Sequence, residues 1–487
     1  MSDSITAFFD HLNGKTIAFL GIGITNTPLA EMFIRKGCRV IACDKRPIEA
    51  LGENALHLQE LGAELKLGDD YLSNIEADVI FRTPGMSYTT PELEEYRRQG
   101  VIVTSELEVF MELCPARVIA VTGSSGKTTV CSIIADMLER SGNKVWLGGN
   151  IGMPLLPDIE KISSSDWVVC ELSSFQLISM RPSPDIAVIT NISPNHLDKH
   201  RDMGEYINAK RNIYLHQSAF GRVVFNADCP ISSGFIGEEH GSLLTFSRKS
   251  MPFWGAYADQ TGDIWFSDRG CVRRIMNRSE LRIAGTHNLE NYLTAICAVD
   301  GLVSDEVIRE TAHLFCGVEH RAEFVRCVNG VSWYNDSIAT TPSRCICGTL
   351  SLFDKKIILI AGGYDKKLPF DEFGDAVCLS VKLLILIGAT ADQIEAAVLG
   401  SQNYADNGVE ILHAADMAEA VSLAALRAQD GDIVSLSPAC AAFDMYQNFS
   451  ERGRHYKELV SELKTFSVHS RIHDYDDDDE GFSFRQE

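Results

Sequence analysis

The chain has 487 residues, enough for about three domains of ordinary size, and its 45% hydrophobic and 23% charged content is that of a globular protein rather than a disordered or fibrous one. A net charge of −23 disfavours nucleic acid and anionic membrane surfaces as main partners, so an anionic ligand has to be held by a local site. Fourteen cysteines lie scattered without a C-x-x-C pair, the N-terminus is polar with no signal-peptide pattern, and no apolar run reaches the roughly 20 residues of a membrane span, so reduced thiols in a cytoplasmic protein with no membrane insertion are the expectation.

Residues 15–23 read as an apolar strand running into Gly21-Ile22-Gly23; a helix over 27–36 and a second strand over 38–43 ending at Asp44 complete a βαβ unit of the dinucleotide-binding kind. Asn26 stands where such folds carry a third glycine. The unit therefore predicts a Rossmann-like domain for some nucleotide or phosphate, with NAD as the lesser alternative. A strand over 78–81 leads into Arg82-Thr83-Pro84-Gly85, at a strand edge where open α/β sheets bind ligands; plain turn geometry explains the same Pro-Gly pair equally well.

A domain boundary is expected near 112–116. Next, an apolar, β-branched strand over 118–121 enters Thr122-Gly123-Ser124-Ser125-Gly126-Lys127-Thr128-Thr129, and a helical pattern follows through Leu138. Strand, glycine turn and helix in that order make a phosphate cradle: backbone N–H groups converge on an anion, and the helix N-terminus adds positive charge. Lys127 is expected to reach the β- and γ-phosphates of ATP and the Thr128 hydroxyl to bind Mg²⁺, although Val121 stands where the common motif has its first glycine. A strand over 167–170 ends in Glu171-Leu172-Ser173-Ser174, which sets a carboxylate where a metal-nucleotide site needs a hard oxygen ligand. Another strand, over 186–190, runs out toward His196 at the same edge. Asp202 and Glu205 suggest a capping box for a helix over 206–217 carrying Lys210. Residues 221–284 predict irregular β structure, and a helix over 291–299 follows Asn288 and Asn291, whose amides either read an adenine edge or serve as helix caps. Beyond a second boundary near 317 come strands over 331–334, 357–360, 383–387 and 433–436 with a helix over 416–428, again a parallel α/β pattern. The acidic 474–487 lacks any apolar period and is expected to be a disordered tail.

Taken together these motifs resemble the Mur ligase family of ATP-dependent amide-forming enzymes. Within the family, Leu436-Ser437-Pro438-Ala439-Cys440-Ala441-Ala442-Phe443-Asp444 with Asn448-Phe449 and Arg452-Gly453 is similar to the members that add D-glutamate to UDP-N-acetylmuramoyl-L-alanine in cytoplasmic peptidoglycan precursor synthesis. The resemblance implies an α/β chain of three domains: 1–113 binding the UDP-sugar, a P-loop domain over 114–317 binding ATP, and a Rossmann-like domain over 318–473 for the incoming amino acid. It implies UDP-sugar contacts from Gly23, Ile24, Thr25, Asp44, Lys45, Arg46, Thr83, Gly85, Asn150, Ser173 and His196. For ATP it implies Gly123 to Thr129 with Asn288, Asn291, Arg321 and Asp336. Thr340, Asp365, Lys366, Ser437, Phe443 and Phe449 would face D-glutamate, Asp365 also lying near the nucleotide. Thr128, Glu171 and His196 would serve two Mg²⁺ ions, together with Lys210 after it has reacted with CO₂ to become a carbamate. The implied reaction passes through an acyl phosphate on the L-alanine carboxylate, which the amine of D-glutamate attacks, at a site completed by domain closure in a monomer.

The chain departs from the family pattern in three places. Ile338 follows Asn335-Asp336-Ser337 where a lysine is common, Ala442 stands where many members have serine, and the turn Gly362-Gly363-Tyr364-Asp365 delivers its aspartate one residue later. A hydrogen bond to a charged group is worth roughly 1.5–3 kcal/mol, so D-glutamate is expected to bind more weakly or to be held by Lys366 and Lys367. The alternatives are another Mur-type ligase, a folylpolyglutamate-type ligase, which would lack the N-terminal UDP-binding domain that residues 15–112 supply, and a non-catalytic ATP-binding relative, which would keep the P-loop but not need Glu171, His196 and Lys210 together.

Overall fold

The computed structural model describes residues 3–194, 199–283, 285–353 and 355–464, so the expected acidic tail and His196 lie outside the described residues. The chain divides into two compact units, 1–315 and 316–487.

The first unit opens with five strands, β1 (Thr16–Leu20), β2 (Arg39–Asp44), β3 (Glu64–Leu67), β4 (Val79–Arg82) and β5 (Ile102–Thr104), all parallel in the order β3-β2-β1-β4-β5. Near-continuous apolar runs form β1 and β4 because both faces are covered, as parallel sheets require. Phe19, Phe33 and Phe81 pack ring on ring at 5.0 to 5.5 Å beneath them. The side chain of Asn26 explains the missing glycine: its amide donates to Leu20 O at 2.9 Å and fixes the start of the helix Asn26–Arg35 against the end of β1.

A second parallel sheet follows, built from β6 (Arg117–Thr122), β7 (Val145–Gly149), β8 (Trp167–Glu171), β9 (Ile186–Ile189), β10 (Arg222–Asn226) and β11 (Ser242–Phe246) in the order β11-β10-β9-β6-β8-β7. The stretch expected to be irregular thus supplies two ordinary strands of this sheet and then a separate antiparallel one, β12 (Trp254–Ala258), β13 (Asp263–Asp268) and β14 (Cys271–Asn277). The helix expected over 206–217 runs Met203–Arg211: Asp202 caps it by accepting from Glu205 N at 2.8 Å. The reciprocal half of the box is not made, because the Glu205 carboxylate accepts from Arg201 N at 2.9 Å and faces His200. Likewise the helix expected from 291 begins at Thr286 behind Gly285, which leaves Asn288 and Asn291 inside it and removes the capping role considered for them.

One hydrophobic cluster joins the two large sheets, running from Phe19 and Phe81 through Phe110 to Val168 and Ile189. At this junction Glu106 is buried and accepts from Leu155 N and Leu156 N at 2.9 and 2.8 Å. Burial pushes its carboxyl up to about 6, against the pull of those two bonds. A carboxyl raised in the folded state contributes stability below its unfolded value near 4.5, and that contribution is lost as pH rises through about 6. Glu106→Gln keeps an acceptor for both N–H groups and does not titrate. Thermal melts should therefore show the variant gaining about 1 kcal/mol on the wild type between about pH 5 and about pH 8; an unchanged difference contradicts this.

The second unit holds β15 (Glu323–Val328), β16 (Val331–Asn335), β17 (Ile357–Gly362), β18 (Val381–Ile387), β19 (Glu410–His413) and β20 (Ile433–Leu436) in the order β15-β16-β20-β17-β18-β19. β15 is antiparallel and the rest are parallel, so the expected all-parallel pattern holds except at that edge. β15 and β19 escape the sequence reading because they are edge strands with exposed faces and weak apolar character. All fourteen cysteines are free and most are buried, as expected.

Candidate active site

In the first unit the C-terminal ends of β6, β8 and β9 converge on the phosphate-type loop between β6 and the helix Lys127–Arg140. Two glycines are demanded there by space as well as by conformation. Gly123 has φ +153°, and a Cβ on it would stand 1.9 Å from Thr190 Oγ1; Gly126 has φ +83°, and a Cβ would stand 2.5 Å from Asn291 Oδ1. The loop is pinned from β9: Ser124 N donates to Asn191 O at 2.9 Å, Ser125 N to Asn191 Oδ1 at 3.0 Å, and Thr190 Oγ1 to Ser125 O at 2.6 Å. Nothing in the sequence pattern singled out Thr190 and Asn191; their signal was only that they follow a strand ending beside the loop.

Glu171, at the end of β8, is buried and accepts from Thr128 Oγ1 at 2.6 Å on one oxygen and from Asn150 Nδ2 at 2.8 Å on the other. The sequence-predicted Thr128, Glu171 and Asn150 are thus brought together, and the donor set of a hydroxyl and a carboxylate at a strand end fits a hard divalent cation. Lys127 Nζ curls back to Gly123 O at 3.1 Å and Ser124 O at 3.4 Å. Lys210 Nζ reaches the same Gly123 O at 2.8 Å and Thr122 Oγ1 at 3.2 Å, over the Tyr206 ring. Among the described residues no carboxylate forms an ion pair with Lys210. Burial holds its ammonium pKa well below the usual lysine value, the Lys127 cation adding to that and Glu171 opposing it. Asn291 donates to Asn288 Oδ1 at 3.1 Å and abuts Gly126, which puts both amides beside the loop. Ser173 is engaged otherwise: its hydroxyl caps the short helix Ser174–Leu177 in a capping box with Gln176.

A cavity of about 330 Å³ opens at the C-terminal edge of the first sheet, lined by Gly23, Ile24, Thr25, Asp44, Lys45, Arg46 and Thr83 among others, while Gly85 is not in its wall. Asp44 is the fixed point of that wall, accepting from Ile22 N at 2.8 Å and from the Arg46 guanidinium at 2.9 and 3.0 Å. Burial alone would raise its carboxyl; the bonds from Arg46 and Ile22 bring it below the usual range instead.

The second unit gathers its predicted residues around the ends of β16, β17 and β20. Asp336 is buried and accepts from Ala322 N, Thr349 Oγ1 and Ser437 Oγ, and burial pushes its carboxyl up to about 6 despite those bonds and the nearby Arg321. Ser437 therefore turns its hydroxyl inward. Lys366 donates to Thr340 O at 3.2 Å, whereas Lys367 pairs with Asp365 at 2.9 Å. Phe443 is 64% exposed and meets Tyr364 edge-on, and the Phe449 ring meets His320. Arg452, which carried no predicted role, is the clasp of this region. Fully buried, it donates to Ser337 Oγ and O, Ala441 O and Cys440 O at 2.9 to 3.0 Å, tying the loop after β16 to the loop after β20.

Comparison with known proteins points to one family. The model of the Mur ligase middle domain matches residues 121–299, and that of the Mur ligase glutamate ligase domain matches residues 320–440. The UDP-N-acetylmuramoylalanine–D-glutamate ligase of Acetivibrio thermocellus is 46% identical over 467 residues, covering 95% of this chain and 100% of that protein. The protein of the same description from Clostridium botulinum (strain 657 / Type Ba4) is 42% identical over 464 residues with the same coverage. Among solved structures, the UDP-N-acetylmuramate-alanine ligase of Thermotoga maritima superposes with a TM-score of 0.54 at 18% identity over 92% of this chain and 99% of its own, which is likeness of fold. Matched across both catalytic segments and aligned nearly end to end with such relatives, a chain whose phosphate loop is closed by Glu171 and Lys210 belongs to the Mur ligase family.

Proposed function

We propose that this chain joins the amine of D-glutamate to the L-alanyl carboxylate of UDP-N-acetylmuramoyl-L-alanine while splitting ATP to ADP and phosphate. The reading rests on the relatives' described activity and, in the chain itself, on the meeting of Thr128, Glu171 and Asn150 beside Lys127. Thr128, Glu171 and Lys210 would hold Mg²⁺, with His196 as a further ligand candidate outside the described residues. Bound there, two such ions would neutralise the phosphate oxygens as charge shifts between attacking and leaving groups.

The protein's own groups do the rest. With Ser124 N and Ser125 N held by Asn191, the N–H groups from Gly126 into the first turn of the helix Lys127–Arg140 bind the phosphate chain, and Lys127 exchanges the Gly123 and Ser124 carbonyls for its terminal oxygens. The cavity around Asp44 and Arg46 holds the UDP end, so that the alanyl carboxylate is delivered in line with the γ-phosphorus and becomes an acyl phosphate. The D-glutamate amine then attacks the acyl carbon, and phosphate leaves. Lys366 is the cation for a D-glutamate carboxylate, since Lys367 is engaged by Asp365.

Lys210 would act as a carbamate. Its buried amine, its pKa lowered by burial, adds in the neutral form to the carbon of CO₂; the new N–C bond pushes one C=O pair onto oxygen, the nitrogen proton leaves to water, and an anionic oxygen donor takes the place of the amine. We further read the enzyme as a cytoplasmic monomer; among the described residues no helix is long and apolar enough to cross a membrane.

The test is phosphate release from ATP with UDP-N-acetylmuramoyl-L-alanine and a panel of amino acids. Release should require D-glutamate, with L-glutamate, lysine and diaminopimelate near background. Equal or greater turnover with another member of the panel would reassign the amino-acid substrate.

A further inference from the structure

Arg82, the last residue of β4, is among the largest fully buried side chains, and among the described residues no carboxylate pairs with it. Glu108 acts on it only through space. Nη2 donates to Phe175 O at 3.1 Å and Ser179 Oγ at 2.8 Å, Nη1 donates to Met86 O at 3.3 Å, the guanidinium sits 5.7 Å from the Tyr88 ring centre, and Nε finds no partner among the described residues. A desolvated cation with no carboxylate in contact is a costly way to fill space that an apolar side chain could fill. What the arginine does that such a side chain could not is bind acceptors in the segments that follow β4 and β8 at once.

Both ends of that bridge lead to a ligand site. Met86 and Thr83 line the cavity of the first sheet. On the other side, the Phe175 ring stacks on His200 at 4.8 Å, and His200 stands 2.8 Å from Ser174 Oγ and 3.2 Å from Glu205 Oε2. Tyr206 packs edge-on against His200 at 5.4 Å and places its hydroxyl 2.8 Å from Ser124 Oγ in the phosphate loop. We propose that Arg82 is a positioning residue that clamps the 83–86 turn of the sugar-nucleotide cavity to the 174–179 segment, so that filling the cavity is felt at the phosphate loop. The inference rests on the reading of that cavity as the UDP-sugar site. The coupling it adds is carried by discrete, packed contacts rather than by distance alone.

Isothermal titration calorimetry on the full chain tests it. The affinity for the Mg²⁺ complex of a non-hydrolysable ATP analogue is measured with and without saturating UDP-N-acetylmuramoyl-L-alanine, in the wild type, Arg82→Met and Ser179→Ala. In the wild type the sugar nucleotide should shift analogue affinity by about tenfold; in Arg82→Met the shift should fall below about twofold, with an intermediate value in Ser179→Ala. Analogue affinity in the absence of sugar nucleotide should stay within about threefold throughout, which a merely destabilised variant would not combine with lost coupling. An unchanged shift in both variants, or none in the wild type, overturns the proposal. Absence of any heat from the sugar nucleotide with wild type overturns instead the functional reading beneath it. If Arg82→Met fails to fold, Ser179→Ala, which keeps the arginine and deletes one acceptor, decides by the same criterion.

Discussion

Lys127→Met is expected to lower kcat by about 10³ while leaving the melting temperature close to that of the wild type. The argument is one of charge and placement. The Lys127 ammonium donates to two backbone carbonyls of its own loop, neutral acceptors that anionic phosphate oxygens would displace. The same carbonyl of Gly123 also receives Lys210, so the loop gathers two lysine side chains where the chain as a whole is strongly acidic. Removing Lys127 deletes the donor aimed at the charge that develops during phosphoryl transfer, and such a donor acts in the transition state more than in binding. Methionine fills the volume of the lysine stem, so packing is kept. Initial rates of phosphate release with all three substrates check this, and a loss of less than tenfold in kcat would show that Lys127 does not face the transferred group.

Lys210→Ala should cost at least about 10³ in kcat, and short carboxylates such as acetate or formate should restore part of it. Truncation of any buried lysine leaves a cavity and a loss of stability, so the drop alone would not identify a role. Rescue would. A carboxylate can enter the space left by the side chain and present the oxygen donor that a carbamate supplies, whereas a merely structural lysine would be better replaced by an amine. The wild-type enzyme assayed under CO₂-free conditions should lose activity with the same carboxylate-dependent recovery. Full activity of the alanine variant without CO₂ or added carboxylate would remove the carbamate from the account.

The centre of the fold was legible in the sequence and its edges were not. β1, β6 and β8 announce themselves because both faces of a parallel strand are buried and the apolar run is continuous, and the glycine turns after β1 and β6 mark where the backbone must approach a ligand. Glu171 and Thr128 could be paired from sequence because each stands at a fixed place after a strand. Edge strands β15 and β19 carry mixed residues on a half-exposed ladder, and no periodicity separates them from loop. The Asp202–Glu205 box was half right, since only tertiary context shows that His200 and Arg201 N compete for the Glu205 carboxylate. Arg82 and Arg452 were missed for a related reason. An arginine in a sequence reads as surface, and its burial among carbonyls depends on loops more than 90 residues away for Arg82 and up to 115 residues away for Arg452. The roles proposed for Lys366 over Lys367 likewise depend on a contact, the Asp365 pair, that spacing alone does not favour over its neighbour.

The central claim is that the loop around Lys127, facing Glu171 and Lys210, transfers the γ-phosphoryl group onto a carboxylate. It is tested most directly by carrying out the reaction with UDP-N-acetylmuramoyl-L-alanine labelled with ¹⁸O in the alanyl carboxylate and weighing the phosphate released. One ¹⁸O atom should appear in each phosphate, because the oxygen that attacked phosphorus leaves with it when the D-glutamate amine takes its place. Unlabelled phosphate, with amide product formed at the usual rate, would contradict transfer to the carboxylate and with it the role assigned to this site.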